Sequence, residues 1–434
     1  MTCYQSTWKH WVLVTPLVAY LLCGEHGCCP VSAAAKDDTD ARDGVAGQRT
    51  HGEEARQAGL DPVKLAEIDA AIHAHIESNH VAGAVGLISR HGHTGYFEAY
   101  GMRDRESRAP MTTDSIFRIC SMSKPLVTAA ALTLFDEGKF ALDDPIYLRL
   151  PEWKDVQVAE DAVDPKTGKK MVRLVSAQSP ITVRQLMSHS SGLYYIGTDG
   201  NPSGSKIKLV GNNKDQTVAE LSCGLAKLPL MFQPGTRFQY GFSIDVLGRY
   251  VEVLSGKPLD VFLNERLLKP LKMYDTAFFV PPEKWGRIAT TYAPSPGGGL
   301  EVSGTTPAPR EKPKLLLGGA GLVSTVRDYA RFCQMLLNRG ELDGVRVLKA
   351  STVDLMFQNH LLHVTQGRVR CYGLGGASDP DGVYKWGGAA GTEFWVDSKN
   401  DCFIVFMLQW HQRPNAAYPD FNRLAKKMLG LPER

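Results

Sequence analysis

Strand-like and helix-like segments are segregated along this chain, and that segregation limits the folds open to it. Residues 83–90 (GAVGLISR) and 95–101 (GYFEAYG) flank the turn His91-Gly92-His93-Thr94, the pattern of two strands and a hairpin. Strand character then returns at 383–387, 392–397 and 402–410. Between these groups helical patterning suits 122–138, 182–188, 243–255, 258–268, 325–339 and 350–357. A helix over 61–78, with Asp61 as N-cap and Pro62 at its first position, precedes the first strands, and one over 419–429 closes the chain. Strands at both ends and helices in the middle make an α+β chain. The economical arrangement is one antiparallel sheet built from both ends, with a large helical region inserted between its strands.

The 434 residues are enough for a large buried core without disulfide staples. Hydrophobic residues at 43% and charged residues at 22% exclude a disordered, collagenous or coiled-coil protein. A net charge of +3 with no basic tract gives no case for a nucleic-acid partner. Residues 1–35 have the layout of a secretory signal: Lys9 and His10, the apolar run 11–23, then Ala33-Ala34-Ala35. The expectation is export to the periplasm or the medium, or membrane anchoring if the signal is not cleaved. The apolar run is too short for an integral span. Residues 36–58 read as a flexible linker, and 59–431 as the folded domain. The polar stretch 196–216 and the Pro/Gly-rich stretch 293–313 read as long loops. Cys120, Cys223, Cys333, Cys371 and Cys402 are widely spaced and read as buried apolar residues, with one or two bridges left open. No Cys/His cluster has metal-ligand spacing, so neither metal nor cofactor is expected.

Three short motifs carry chemistry. Ser121-Met122-Ser123-Lys124 is an S-x-x-K at the start of an apolar helix. Residues three apart share a helix face, so the Ser121 hydroxyl and the Lys124 amine can point into one cavity. The N–H groups of a helix N-terminus favour a developing negative charge there. Pro125 is tolerated only near a helix start, which places that start close to Ser121. The second motif, Pro234-Gly235-Thr236-Arg237-Phe238-Gln239-Tyr240, brings Tyr240 to the lip of a helix beginning at Ser243. A tyrosine beside an ammonium can serve as a general base. The third, Lys385-Trp386-Gly387-Gly388-Ala389-Ala390-Gly391-Thr392, has paired glycines that let a ligand approach the backbone. A backbone N–H there could stabilise an oxyanion.

In order and surroundings the three resemble the serine β-lactamase and penicillin-recognising superfamily, and within it the class C-like hydrolases and family VIII carboxylesterases. Phe117-Arg118-Ile119, His189-Ser190-Ser191-Gly192-Leu193, Asp245-Val246-Leu247-Gly248 and Gly391-Thr392-Glu393-Phe394 agree with that pattern. The resemblance implies a sheet of about five antiparallel strands with terminal helices, beside a helical subdomain. It also implies roles: Ser121 as nucleophile, Lys124 as its proton partner, and Tyr240 as the second member of the base pair. The backbone N–H groups of Ser121 and Ala389 would form the oxyanion hole. Trp386, Gly387, Gly388 and Phe242 would line the substrate site.

Other residues attract attention and are set aside. Lys166-Thr167-Gly168 spells K-T-G but sits in a polar turn ahead of Tyr240. Ser123 has no lysine three residues on. His189 more simply holds a turn, Cys120 is a wall residue, and Thr325 with Asp328 opens a helix. Two departures bear on substrate. Phe242 stands where relatives have an asparagine for an acylamino group, and Trp386 where they have a cation for a carboxylate. An aromatic pocket, with Tyr194, Tyr195 and Phe394 as further candidates, suits small-molecule esters of small to medium acyl groups. β-Lactamase or DD-peptidase chemistry, acyl transfer to an alcohol, and a non-catalytic binding role stay open as alternatives.

Overall fold

The computed structural model describes residues 52–195, 215–304, 307–362, 364, 369, 371–411, 415 and 417–432. The signal segment 1–35, residues 36–51 and most of the expected loop 196–216 lie outside the described residues.

The two ends of the domain meet in one antiparallel sheet. In spatial order its strands are Ala377–Ser378, Val383–Gly388, Thr392–Asp397, Cys402–Leu408, Gly83–Arg90, His93–Asp104 and Ala109–Pro110. The N-terminal strand pairs directly with the C-terminal one, from Ala84 opposite Leu408 to Arg90 opposite Cys402. The sheet therefore has seven strands rather than five. The five long ones are those read from the sequence, and the additions are two-residue edge strands. Such short edges, one ending in Pro110, offer little backbone for another chain to pair with.

Strand alternation divides the side chains between two cores. Val85, Leu87, Phe403, Val405 and Met407 face the main core, whereas Ala84, Ile88, Ile404, Phe406 and Leu408 face the second. The second core lies under the terminal helices, Pro62–Glu77 and Ala417–Leu429. Asp61 caps the first, accepting from Val63 N at 3.0 Å, and Leu65, Ile68 and Ile72 form its buried stripe. Lys427 pairs with Glu67 at 2.7 Å and His75 with Asp420 at 2.9 Å, tying the two helices together. The main core holds the inserted helices, chiefly Ser123–Asp136, Ser243–Ser255 and Val326–Leu337.

Three expectations need correction. The linker does not extend to residue 58: Glu53–Gln57 form a helix, and Ala55, Ala58 and Leu60 are buried. This apolar stripe is masked in the sequence by five charged or amide neighbours, and Gly95 leaves room for Ala58 beneath the sheet (a Cβ there would lie 2.5 Å away). The stretch 293–313 is not all loop, since Tyr292–Pro294 pairs with Leu300–Val302. Cys223 is exposed and Cys371 half-buried, while Cys120, Cys333 and Cys402 are buried. Lys166-Thr167-Gly168 lies in the turn between strands Gln157–Val163 and Lys170–Ser176, with Asp164 N bonded to Lys169 O at 2.9 Å. Among the described residues no helix is long and apolar enough to cross a membrane.

Candidate active site

Ser121 sits in a single 3-10 turn, Cys120–Met122, that runs into the helix Ser123–Asp136. The turn is held from below. Ser123 Oγ donates to Cys120 O at 2.7 Å and accepts from Leu322 N at 3.1 Å. Those bonds pin Cys120 at φ +44°, a conformation that non-glycine residues adopt only when their surroundings enforce it. Ser123 is thus a fully buried brace, and Ser121 is the serine left at the surface of the turn. Pro125 falls in the first helical turn, where its missing N–H costs no hydrogen bond.

Lys124 is fully buried, and a buried ammonium needs partners. Its Nζ donates to Gly319 O at 2.6 Å and lies 3.3 Å from both Ser121 Oγ and Tyr195 OH. The same nitrogen is 4.5 Å from the centre of the Tyr240 ring. Gly319 is held in turn by Asp245, whose carboxylate accepts from Gly319 N at 2.9 Å. A Cβ at Gly319 would stand 2.7 Å from Asp245 Oδ2, so a side chain there would have to displace the carboxylate that holds this turn. Burial pushes the Asp245 carboxyl up to about 6, against the pull of the Lys124 charge.

The sequence pointed to Tyr240 as the group sharing a proton with Lys124. The structure brings Tyr240 to Lys124 by its ring face, and the phenol oxygen at 3.3 Å belongs to Tyr195. Burial, followed by the neighbouring Tyr240 and Asp245, pushes the Tyr195 phenol well above its usual range, so Tyr195 exchanges hydrogen bonds as a neutral phenol. Tyr195 reaches this position because Tyr194 runs flush against Gly241: any Cβ at Gly241 would collide with the Tyr194 backbone. No spacing rule could have paired residues 71 positions apart.

The third motif packs against the segment that leads into Ser121. Gly388 abuts the carbonyl of Ile119, which also accepts from Thr392 Oγ1 at 3.3 Å. The strand end leading to Ala389 is thereby docked against the segment that enters Ser121. Trp386 lies on the main-core face, 5.4 Å from the Tyr240 ring centre. Alternation turns Lys385 to the opposite face, near Asp379 at 3.7 Å. Gly387 turns that way also, under the side chain of Glu393.

Two expected wall residues lie deeper than supposed. Phe242 is a core residue meeting the Tyr195 ring edge-on at 4.8 Å, so it backs Tyr195 instead of facing substrate. Phe394 is buried against Tyr329 at 4.9 Å. His189 does hold a turn: at φ +54° its carbonyl accepts from Gln239 N at 2.8 Å. Its ring also packs on Tyr240 at 4.7 Å, a contact the sequence did not suggest. Among the described residues no group of His, Cys, Asp and Glu side chains is placed to hold a metal ion.

Comparison with known proteins decides the family. Residues 68–426 match the β-lactamase family. The chain belongs to it. A Mycobacterium tuberculosis member, itself uncharacterized, is 34% identical over 364 residues, 78% of this chain and 88% of the relative. Esterase EstB of Burkholderia gladioli is 29% identical over 375 residues, again 78% and 88%. Among solved structures, a simvastatin synthase variant from Aspergillus terreus superposes with a TM-score of 0.69 at 25% identity, covering 84% of this chain and 98% of that one. The β-lactamase-family members similar to this chain include both esterases and acyltransferases. Serine-hydrolase-type acyl transfer is therefore the general chemistry of this protein.

Proposed function

We propose that this protein is a carboxylesterase acting on small to medium acyl esters through an acyl-Ser121 intermediate. One observation carries the reading: Lys124 Nζ stands 3.3 Å from Ser121 Oγ inside a wall of aromatic rings, with Trp386 where a carboxylate-binding cation would stand. In this reading Lys124 enters the step as the neutral amine, Ser121 Oγ attacks the ester carbonyl, and the serine proton passes to Lys124. The N–H groups of Ser121 and Ala389 hold the oxyanion. Tyr240, packed on Lys124, hands a proton to the departing alcohol and takes the serine proton from Lys124 in exchange, so the net transfer is from Ser121 to the alcohol oxygen. Water then enters along the same path and releases the acid.

Acyl transfer to an alcohol is the second reading, favoured by the acyltransferases among the relatives. It needs no new residue, since an alcohol in place of water reverses the first step. Export through residues 1–35 is proposed alongside.

The deciding experiment couples active-site labelling to a substrate panel. A fluorophosphonate should label Ser121, and Ser121→Ala should abolish both label and turnover while Ser123→Ala keeps the label. p-Nitrophenyl butyrate should exceed nitrocefin in kcat/KM by roughly one to two decades, the worth of the missing charge-assisted hydrogen bond. Parity between the two substrates would replace the esterase reading with a β-lactamase.

A further inference from the structure

Beside Tyr240 four rings close into a circuit. His189 meets Tyr240 at 4.7 Å between ring centres and Tyr372 at 5.7 Å. Trp386 meets Tyr240 at 5.4 Å and Tyr372 at 5.2 Å. His189 and Tyr372 are buried, whereas Trp386 and Tyr240 are half-buried. The circuit therefore reaches solvent along its Trp386–Tyr240 side and runs inward to His189.

Its polar atoms are out of keeping with a plain aromatic core. Trp386 Nε1, the Tyr240 hydroxyl and both ring nitrogens of His189 are buried, with no hydrogen-bond partner among the described residues. A buried indole N–H normally finds an acceptor, and a buried imidazole normally satisfies at least one nitrogen. Leaving these four atoms unpaired is destabilising unless they serve a ligand, and the Tyr240 hydroxyl already has the leaving oxygen in the reading above. The chemistry of that ligand follows from the atoms. Burial, then the charge of Lys124, holds the His189 imidazole well below its usual range, so it is neutral. A neutral imidazole has one N–H and one lone pair, and the indole adds a second N–H. The niche thus offers donors and an acceptor, and the nearest cation, Lys124, is already taken up by Gly319 O, Ser121 and Tyr195. A carboxylate would have no charge free to pair with, and an alkyl group would leave the nitrogens unpaired. A hydroxyl, which accepts one hydrogen bond and donates another, satisfies both sides.

Tyr240 decides which half of the substrate is meant. In the ester-hydrolase reading, on which this inference rests, Tyr240 delivers the proton to the departing alcohol, so groups flanking it face the alcohol half. We propose that Trp386 and His189 bind a free hydroxyl on the alcohol half of the substrate, making esters of diols and polyols, such as glycerol monoesters, the preferred class. In the step itself the Ser121 Oγ–acyl bond forms, the bond from the acyl carbon to the polyol oxygen breaks, and the serine proton ends on that oxygen. Run backwards, the same niche holds a polyol as acyl acceptor.

The test keeps the acyl group constant. Initial rates by pH-stat give kcat/KM for 2,3-dihydroxypropyl butyrate and for propyl butyrate, with p-nitrophenyl butyrate measured alongside. The wild-type protein should favour the dihydroxypropyl ester about tenfold or more, the worth of one to two net hydrogen bonds. Trp386→Phe and His189→Phe should each bring that ratio to within about threefold of unity. Fluorophosphonate labelling of Ser121 in each variant reports that the site is still assembled. If His189→Phe does not fold, Trp386→Phe, at the half-buried end, carries the test. A wild-type ratio at or below one, or a ratio unchanged in Trp386→Phe, overturns the niche. No turnover of p-nitrophenyl butyrate or either alkyl ester overturns the esterase reading itself.

Discussion

Lys124 has four neighbours that matter, and each restrains it differently. Gly319 O fixes the amine by a short bond, Ser121 and Tyr195 share its remaining hydrogens, and the Tyr240 ring covers its flank. The two tyrosines therefore have separable jobs. Tyr240→Phe should cost roughly 10²-fold in kcat on alkyl esters, whose alcohol must be protonated to leave. On p-nitrophenyl esters, whose phenolate leaves unaided, the cost should be much smaller. Tyr195→Phe removes a partner of Lys124 itself and should lower both substrate types by a similar factor. Lys124→Ala should lower both by roughly 10²–10⁴. The check is a comparison of kcat for the two ester types in the three variants. An equal loss in Tyr240→Phe for both esters would remove the leaving-group role from Tyr240.

Between elements, the site depends on backbones passing at close range. Gly241 is the clearest instance, since Tyr194 lies directly over it. Gly241→Ala must push the two segments apart, at a cost of about 1–3 kcal/mol of stability. The displacement also carries Tyr195 away from Lys124, so kcat should fall more than tenfold, read together with a lowered Tm. Undiminished labelling of Ser121 and an unchanged Tm would show that the two segments are not coupled. The same scale explains what could be read in advance. Ser121 and Lys124 share one helical turn, so their spacing announced their contact. The long strands and most helices follow from periodicity, which is local. Tyr195, Asp245 and Gly319 meet around Lys124 through tertiary packing of three separate segments, and no local spacing announces that meeting. Phe242 and Phe394 were misjudged for the same reason: an aromatic residue beside a motif looks alike whether it faces ligand or core. The helix Glu53–Gln57 is hard to read because it buries only Ala55, with Ala58 and Leu60 following it among charges.

Across the whole molecule, one buried and one half-buried carboxyl set opposing demands on pH. Burial pushes Asp328 up to about 6, although Asp275 N at 2.8 Å and Thr276 Oγ1 at 2.9 Å donate to it. The folded state thus holds this proton more tightly than the unfolded chain does. Its contribution to stability is complete below the ordinary carboxylate range and is lost as pH rises through about 6. Asp275 behaves oppositely. Burial alone would raise it, but hydrogen bonds from Arg287, at 2.7 Å, and from Lys284 outweigh that and hold it low. Its contribution is present above the ordinary carboxylate range and disappears as pH falls through its lowered value. Asp328→Asn keeps an oxygen for Asp275 N and Thr276 but cannot ionise. Relative to wild type it should gain about 1–3 kcal/mol of stability on going from pH 5 to pH 7.5. Urea unfolding at the two pH values measures this, and a difference independent of pH would contradict it.

The pairing of Gly83–Arg90 with Cys402–Leu408 also has a consequence for how the molecule is made. A ribosome delivers the first of these strands long before the second. During that interval the N-terminal hairpin has one finished neighbour and one open edge, and its apolar residues wait uncovered. The segment bearing Ser121 and Lys124 is likewise complete before Trp386 and Ala389 exist. Local helices can form as they emerge, but the central pairing must wait for Cys402–Leu408, about 300 residues after Gly83–Arg90, and long-range pairing of this kind folds slowly. The vulnerable species in the life of this protein is accordingly a nascent chain that has not yet delivered Cys402–Leu408. Catalytic competence arrives in a single late event, when the final strands close the sheet.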